Sequence, residues 1–452
     1  MTAINFSHAF IGRRRGGGES YWVSRIQDSY YSTAGLCVNS SGKVFITGNY
    51  FPGVSGSQRL GFIRLNANGS FDTALGTFDQ WRAWGGPAVS ADGSSSVYVP
   101  ANRWTDSDDL WYPWISTIGG SDSDYVLRSR LSASIKSGVA TDLSVTQSSI
   151  VAVDSSGNPY FAGIEGSAGT VWKLNTSLGQ VWATRLTQTY ASQWTGIDVR
   201  GSDVAVATSQ YRADAPNYHG FVAKLATSNG SVSWQKQLLP PSGSEIYIDS
   251  VALDSTGRVI VVGRGYVTGA NNRAMVAVIS ADGSSIDWIR QFYVSGRNIV
   301  GTSVQVDAAD NVYALFYDGN TGPVYLAKYN SSGTLQWQRR FTYPSAAATG
   351  RGLYVRGDVM WVSMLWSIYN AGGGNIFVWK LPTNGGKAGT DVNLGSTSRL
   401  RMQYLAATAT DEAWTGCSLA AGPASVGAQS ASFASGTFTP VSDSPNVFNG
   451  VL

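Results

Sequence analysis

The sequence predicts an all-β fold: a seven-bladed β-propeller of four-stranded antiparallel sheets, with the ring closed by an N-terminal strand and a C-terminal Ala/Ser/Thr-rich extension beyond it. Three observations carry this. A unit of apolar runs and small polar turns recurs seven times between Leu36 and Asn384. Four copies end in a run where Trp is followed four positions later by Leu or Phe. The last copy lacks that run, and a matching one stands at the other end of the chain.

The copy at 150–186 shows each element in order. IVAVD (150–154) is a β run, SSGN (155–158) a turn, and PYFAG (159–163) a second run. VWKL (171–174) is a third, 175–179 a turn, and QVWATRL (180–186) a fourth. Gly, Ser, Asn and Asp at the turns fit tight hairpins, so the four runs form an antiparallel meander. The runs are nearly continuously apolar, as a sheet covered on both faces requires. The copies align on their first turn at Asn39, Ala91, Asp154, Arg200, Asp254, Asp307 and Arg356, at steps of 46 to 63 residues.

In the fourth run, Trp182, Trp234, Trp288 and Trp337 precede Leu186, Leu238, Phe292 and Phe341 by four positions. Residues i and i+4 of a strand share a face, which gives these tryptophans a place in the blade core. After NIFVWKL (375–381) no such run follows, but YWVSRI (21–26) puts Trp22 four residues before Ile26. The expectation is that 21–26 pairs with 375–381, completing the last blade and removing an open sheet edge. The domain organisation is then an arm at 1–19, a propeller at 20–386 and an extension at 387–452.

Composition agrees. Gly is abundant at 53 residues and charged residues make up only 13%, a profile of turn-rich β structure and not of a coiled coil or a disordered chain. A net charge of +3 gives no strong pull toward nucleic acid or membrane. Cys37 lies in an apolar run and reads as a buried, inert thiol; with Cys417 as the other cysteine, packing and not covalent bridging must hold the chain. No apolar stretch near eighteen residues and no signal-peptide core is present, so neither export nor membrane insertion is expected.

The repeat resembles the seven-bladed β-propeller repeats of the form D-x-x-G-N-x-Y-V-x-G followed by F-V-x-K-L-N-x-x-G-x-x-x-W. The matching residues are Asp154 to Tyr160, Phe221 to Leu225, and Val324 to Trp337, and the resemblance spans residues 20–390. It implies the fold and leaves function open. SADGSSIDW (280–288) is loosely similar to a sialidase Asp-box, but the Gly-to-Trp spacing varies and no arginine triad can be placed. The 174–186 phrase is similar to quinoprotein repeats, yet those enzymes use eight blades and a vicinal disulfide, and this chain has no adjacent cysteines.

The chemistry-bearing residues are few. His8 and His219 are the only histidines, which argues against a histidine-rich metal site or a Ser-His-Asp triad, and leaves His219 as the sole candidate base. Asp254, Asp282 and Asp307 occupy turns, where an Asx-type hydrogen bond accounts for them. No metal and no cofactor is expected.

One copy is unusual. Trp81, Trp84, Trp104, Trp111 and Trp114 cluster around Asp106, Asp108 and Asp109. Aromatic rings beside carboxylates suit a carbohydrate platform, and equally a contact surface for a neighbouring subunit or the filling of a larger blade. Arg13, Arg14 and Arg15, before three glycines, form a basic joint: a solvated run or a docking arm for an acidic partner.

From 387 the chain turns rich in Ala, Ser, Thr and Gly. Such a segment orders on a partner or runs as an extended strand over a surface. A propeller with this kind of tail resembles uncharacterised virion proteins of tailed bacteriophages. That resemblance implies a non-enzymatic structural component of a phage particle, bound to other virion proteins through its arm and extension, assembled in the host cytoplasm. A glycan-binding propeller for host-surface attachment is the alternative, and a glycan-cleaving enzyme, which needs paired carboxylates in one pocket, the third reading.

Overall fold

A computed structural model describes residues 5–13, 20–28, 31–50, 59–76, 81–83, 88–89, 97–105, 110–118, 125–130, 150–165, 168–176, 179–187, 194–212, 217–267, 271–319, 322–342, 347–368, 373–385, 391–393, 399–404, 409–413, 418–421 and 425–428. The fold is a β-propeller. Six antiparallel four-stranded meanders form its blades, numbered here in chain order.

Blade 1 is Tyr31–Val38, Val44–Tyr50, Arg59–Leu65 and Phe71–Gly76. Blade 2 is Ile150–Val153, Pro159–Glu165, Ala168–Leu174 and Gln180–Thr187. Blade 3 is Trp194–Arg200, Asp203–Arg212, Asn217–Ala226 and Val232–Leu239. Blade 4 is Ser244–Leu253, Val259–Val267, Arg273–Ile279 and Ile286–Val294. Blade 5 is Ile299–Val306, Val312–Asp318, Val324–Tyr329 and Leu335–Thr342. Blade 6 takes Ala347–Arg356, Val359–Ile368 and Gly373–Pro382 from the end of the repeat, and Ser20–Asp28 from the N-terminus.

The N-terminal strand pairs antiparallel with the third strand of blade 6, Trp22 opposite Lys380 and Ile26 opposite Ile376. Its two faces enter different cores. Val23 packs with Leu315, Phe377 and Trp379 toward blade 5, while Trp22 and Ile26 pack with Leu36, Val38 and Ile46 of blade 1. Each interface between neighbouring sheets is thus its own apolar core, which is why the strands lack polar alternation. Burying side chains such as Ile26 and Phe377 contributes about 1.5–3 kcal/mol each.

Seven equivalent four-stranded blades were expected, and this is corrected to six. The copy between blades 1 and 2 forms a less regular sheet, in which Trp81–Ala83 and Ala88–Val89 both pair with Val97–Thr105. Leu110–Ile118 and Tyr125–Arg130 follow. The physical reason is in the sequence. Gly85, Gly86 and Pro87 fall where the innermost strand should run, and proline removes a ladder donor while glycine weakens a strand. The sheet still abuts blade 2: Tyr98 packs on Phe161, Trp172 and Leu174 and donates its hydroxyl to the Gly157 carbonyl at 3.0 Å.

A repeated latch ties blade to blade. The indole of Trp182 donates to the Thr227 carbonyl of the next blade at 3.0 Å, Trp234 to Ala281 at 2.9 Å, Trp288 to Ser331 at 3.1 Å and Trp337 to Thr383 at 3.2 Å. Trp22 closes the ring by the same bond to Ala67 of blade 1 at 3.1 Å. Two residues later a second donor reaches the turn glycine: Ser24 to Gly69, Thr184 to Gly230, Arg290 to Gly333 and Arg339 to Gly385. A side chain at Gly333 would meet Trp288 at 2.6 Å, and its φ of +79° already favours glycine.

Outer strands carry additions. Asn5–Arg13 pairs with Ser20–Asp28 on blade 6. Arg399–Tyr404 pairs with the fourth strand of blade 5, and Asp391–Asn393 pairs with it in turn. Ala409–Ala413, Ser418–Ala421 and Ser425–Ala428 pair with the fourth strands of blades 4, 3 and 2. The extension therefore runs round the rim against chain order, and its described backbone is held by the propeller itself.

Candidate functional site

The residues that bear the repeat motif are spent on the fold. Asp307 accepts from the amides of Ala309 and Asn311, each at 2.9 Å, and from the Tyr313 hydroxyl at 3.0 Å. Lys328 stands 3.8 Å away. Asp154 repeats this with Ser156, Asn158, Tyr160 and Lys173. Burial pushes the Asp307 carboxyl up, but the Asn311, Tyr313 and Ala309 hydrogen bonds outweigh it and hold it below the usual range. The exposed Asp282 is held at about 2 by hydrogen bonds from Ser280 and Ser284. These carboxylates cap hairpins.

The inner wall of the ring offers different chemistry. First strands of successive blades lie side by side: Trp194–Arg200 against Ser244–Leu253, Ser244–Leu253 against Ile299–Val306, and Ile299–Val306 against Ala347–Arg356. Five of them carry a β-bulge at one height, between Thr33 and Gly35, Trp194 and Gly196, Ile248 and Ser250, Gly301 and Ser303, and Gly350 and Gly352. The extra residues are Ala34, Thr195, Asp249, Thr302 and Arg351, each five positions before its blade's first turn. The residue after the bulge is small because the neighbouring strand leaves no room. A side chain at Gly196 would strike the Val251 amide nitrogen at 2.6 Å, and one at Gly352 the Leu36 nitrogen at 2.8 Å. Thr195 donates across the interface to the Ile248 carbonyl at 2.7 Å, and Ser209 accepts from the Ile248 amide at 2.8 Å.

Two carboxyls here are strongly perturbed. Burial pushes Asp249 up to about 6 against the opposing charge of Arg264, and its Oδ2 has no hydrogen-bond partner among the described residues. Burial also pushes Asp198 up to about 6, although the Leu253 amide donates to it at 2.7 Å. Arg351 is exposed, yet enclosing protein lowers its pKa with Tyr317 opposing.

Tyr247 and Glu245, on the first strand of blade 4 just before its bulge, belong to an aromatic and charged cluster. Tyr218 of blade 3 stacks on Tyr247 of blade 4, centroids 4.6 Å apart, and Arg264 lies 4.5 Å from the Tyr247 ring. The Tyr247 hydroxyl donates to Glu245 at 2.8 Å, and burial together with Glu245 pushes that phenol well up. Arg273 covers Tyr293 at 4.3 Å and donates to Gln291. No motif announces this cluster, because Tyr218 comes from one copy of the repeat and Tyr247 and Arg264 from the next.

The residues singled out from sequence are placed as follows. Trp22, Trp182 and Trp234 are buried, and Trp288 and Trp337 are partly buried against the apolar cores. Trp104 and Trp111 are register partners in the Val97–Thr105 and Leu110–Ile118 pair, with Trp81 opposite Arg103 and Trp114 opposite Ala101. The side chains of these four, and all of Trp84, Asp106, Asp108 and Asp109, lie outside the described residues. Arg13 pairs with Ser20; Arg14 and Arg15 lie outside the described residues. His219 is 8% exposed, poorly placed for proton transfer with a ligand. Cys37 is buried, and burial pushes its thiol far up, which suppresses reactivity. No group of three metal-ligating side chains occurs among the described residues.

Residues 40–74 match a family profile described as a domain of unknown function, the DUF5122 beta-propeller. No curated protein matches. Among solved structures, the beta-propeller domain of the Trilobed protease from Pyrococcus furiosus is similar at 11% identity and a TM-score of 0.47, over 81% of this chain and 97% of that one. Prolyl oligopeptidase B from Galerina marginata is similar at 10% identity and a TM-score of 0.41, over 80% of this chain and 55% of that one. An acylaminoacyl peptidase matches at 10% identity and a TM-score of 0.41, over 75% and 52%. The chain spans about half the length of those two peptidases. By its own strand order, the chain is a β-propeller of four-stranded antiparallel blades with a repeat shared, over one hairpin pair, with a propeller family of unknown function.

Proposed function

We propose that this chain is a non-enzymatic structural component of a bacteriophage particle, tail-associated or decorating the capsid, in which the propeller is a rigid interaction disc. The irregular sheet of 81–130 then fills a seventh sector between blades 1 and 2. The observation that supports the reading is the latch: one indole–carbonyl bond recurs at five interfaces, ring closure included. A protein that needs to move its blades has no use for such a set. With the arm and the extension paired on the rim, the disc faces and the undescribed parts of both ends are the surfaces left for other virion proteins.

The test is limited proteolysis read by mass spectrometry, on the purified protein and on purified particles. Sites open in isolation and protected in the particle support the reading. Absence of the chain from purified particles, or identical cleavage maps, sinks it.

A second reading is glycan binding for host attachment, and the cluster of Tyr218, Tyr247, Glu245 and Arg264 favours it, since stacked rings beside a carboxylate and a guanidinium suit a sugar. A glycan array decides: signal abolished by Tyr218→Ala and Arg264→Ala would put this reading first.

A further inference from the structure

Three of the five latch turns carry a chemically reactive pair: Asn68-Gly69, Asn229-Gly230 and Asn384-Gly385. They directly follow the carbonyls of Ala67, Thr227 and Thr383 that accept from Trp22, Trp182 and Trp337, with one serine intervening in the second case. In each pair the asparagine is exposed and the glycine is buried. Asparagine before glycine is prone to deamidation, because glycine has no side chain to shield its nitrogen. Solvent hydroxide takes the proton from that nitrogen, which attacks the asparagine Cγ. The bond from Cγ to the side-chain nitrogen breaks, and ammonia leaves with a proton from water. Water then opens the resulting succinimide to aspartate or isoaspartate.

In the closed turn both reactants are engaged elsewhere. The amides of Gly69, Gly230 and Gly385 donate to the carbonyls of Asn66, Ala226 and Pro382 at 2.8, 2.9 and 3.2 Å. Asn68 Oδ1 accepts from the Ser70 amide at 3.0 Å, and Asn229 Oδ1 from the Ser231 amide at 3.0 Å. The glycine carbonyls are fixed as well, by Ser24, Thr184 and Arg339. Swinging the glycine nitrogen onto Cγ rotates the Asn–Gly peptide and breaks its bonds on both sides together. The latch indole also crowds the glycine: a Cβ at Gly230 would meet Trp182 at 2.6 Å, and one at Gly385 would meet Trp337 at 2.8 Å. The remaining two joints lack the pair. Ser332 precedes Gly333 and has no side-chain carbonyl to attack. Asp282 precedes Gly283, and its carboxyl, held at about 2, stays ionised and resists attack.

We propose that Asn68, Asn229 and Asn384 are latent deamidation sites gated by the latches, so that each records the opening of its own blade joint. The record is irreversible. Isoaspartate inserts an extra backbone carbon before the glycine and carries its carbonyl away from the second donor, so a joint that has reacted does not close as before.

Peptide mass spectrometry of the incubated full-length protein tests this, counting aspartate and isoaspartate at each site in the native and the guanidinium-denatured chain. All three sites should convert at least about tenfold more slowly in the native protein than in the denatured chain. Trp182→Phe should speed Asn229 about fivefold, the effect of losing one ordinary hydrogen bond, and leave Asn68 and Asn384 at the parent's rate. Trp22→Phe should do the same for Asn68 alone. Thr184→Val removes only the bond to the Gly230 carbonyl and repeats the test at Asn229 if a tryptophan variant fails to fold. Native conversion at the denatured rate overturns the proposal. So does a site that ignores its own latch, or three sites that accelerate together, as opening of the whole fold requires.

Discussion

Asp249 gives the sharpest test of the inner wall, and the perturbation is Asp249→Asn. Its carboxyl titrates at about 6 in the folded protein against 3.8 in an unfolded chain, because burial penalises the charged form. A folded-state pKa raised above the unfolded one means the native state holds the proton more tightly. The associated stability is full below pH 3.8 and is lost as pH rises through 6. At 1.36 kcal/mol per pKa unit, the displacement amounts to about 3 kcal/mol, order of magnitude. Asparagine does not titrate, so the stability difference between variant and parent should move toward the variant by about 2–3 kcal/mol between pH 4 and pH 7.5. The fixed cost of burying an amide at this site is the same at both pH values and cancels. Asp198 titrates with the same sign in both proteins and cancels too. Urea denaturation at four pH values across this range measures the difference. A difference that is flat with pH, or that moves toward the parent, refutes a desolvated carboxyl at the bulge.

Other expectations concern the ring. Gly333→Ala forces a left-handed backbone on alanine and drives its Cβ into Trp288, and should cost about 2–4 kcal/mol; thermal unfolding within a degree of the parent would contradict the latch geometry. Trp234→Phe keeps an aromatic ring but removes the bond to Ala281, with an expected loss of about 1 kcal/mol by urea denaturation. Ile26→Ala opens a cavity at the closure between blades 6 and 1 and should cost about 2–5 kcal/mol, with faster tryptic cleavage of the N-terminal strand; equal cleavage rates would argue against closure there.

Much of this fold was legible in the sequence, for physical reasons that can be named. The Trp-x-x-x-aliphatic period marks a buried outer strand, so the orphan copy at Trp22 and Ile26 pointed to the strand that lacked a partner. Turn aspartates such as Asp307 announced hairpin caps through spacing to Asn311 alone. The bulges were not legible. Ala34, Thr195, Asp249, Thr302 and Arg351 have no chemistry common to all five, so no residue type marks the position. The rim strands were hidden for a related reason. SLAA and SVGA carry one large apolar residue each, too few to mark a strand with a core of its own, and they borrow an existing edge. The excess of tryptophan in the copy after blade 1 marked its composition as unusual and not its sheet as irregular, because tryptophan content does not report how strands pair.

The latch has a consequence for how such a ring changes over evolutionary time. Blades 3 to 6 each present a latch donor on one side and a latch acceptor on the other, so their contacts are head-to-tail, and the joint between blades 6 and 1 uses the same pair of groups. Nothing in that joint identifies which blade it belongs to. A duplication or loss of one whole repeat therefore leaves complementary ends that still fit, and what limits the number of blades is the angle each one subtends. The ring counts by geometry, and its length in repeats is free to drift as long as the circle closes.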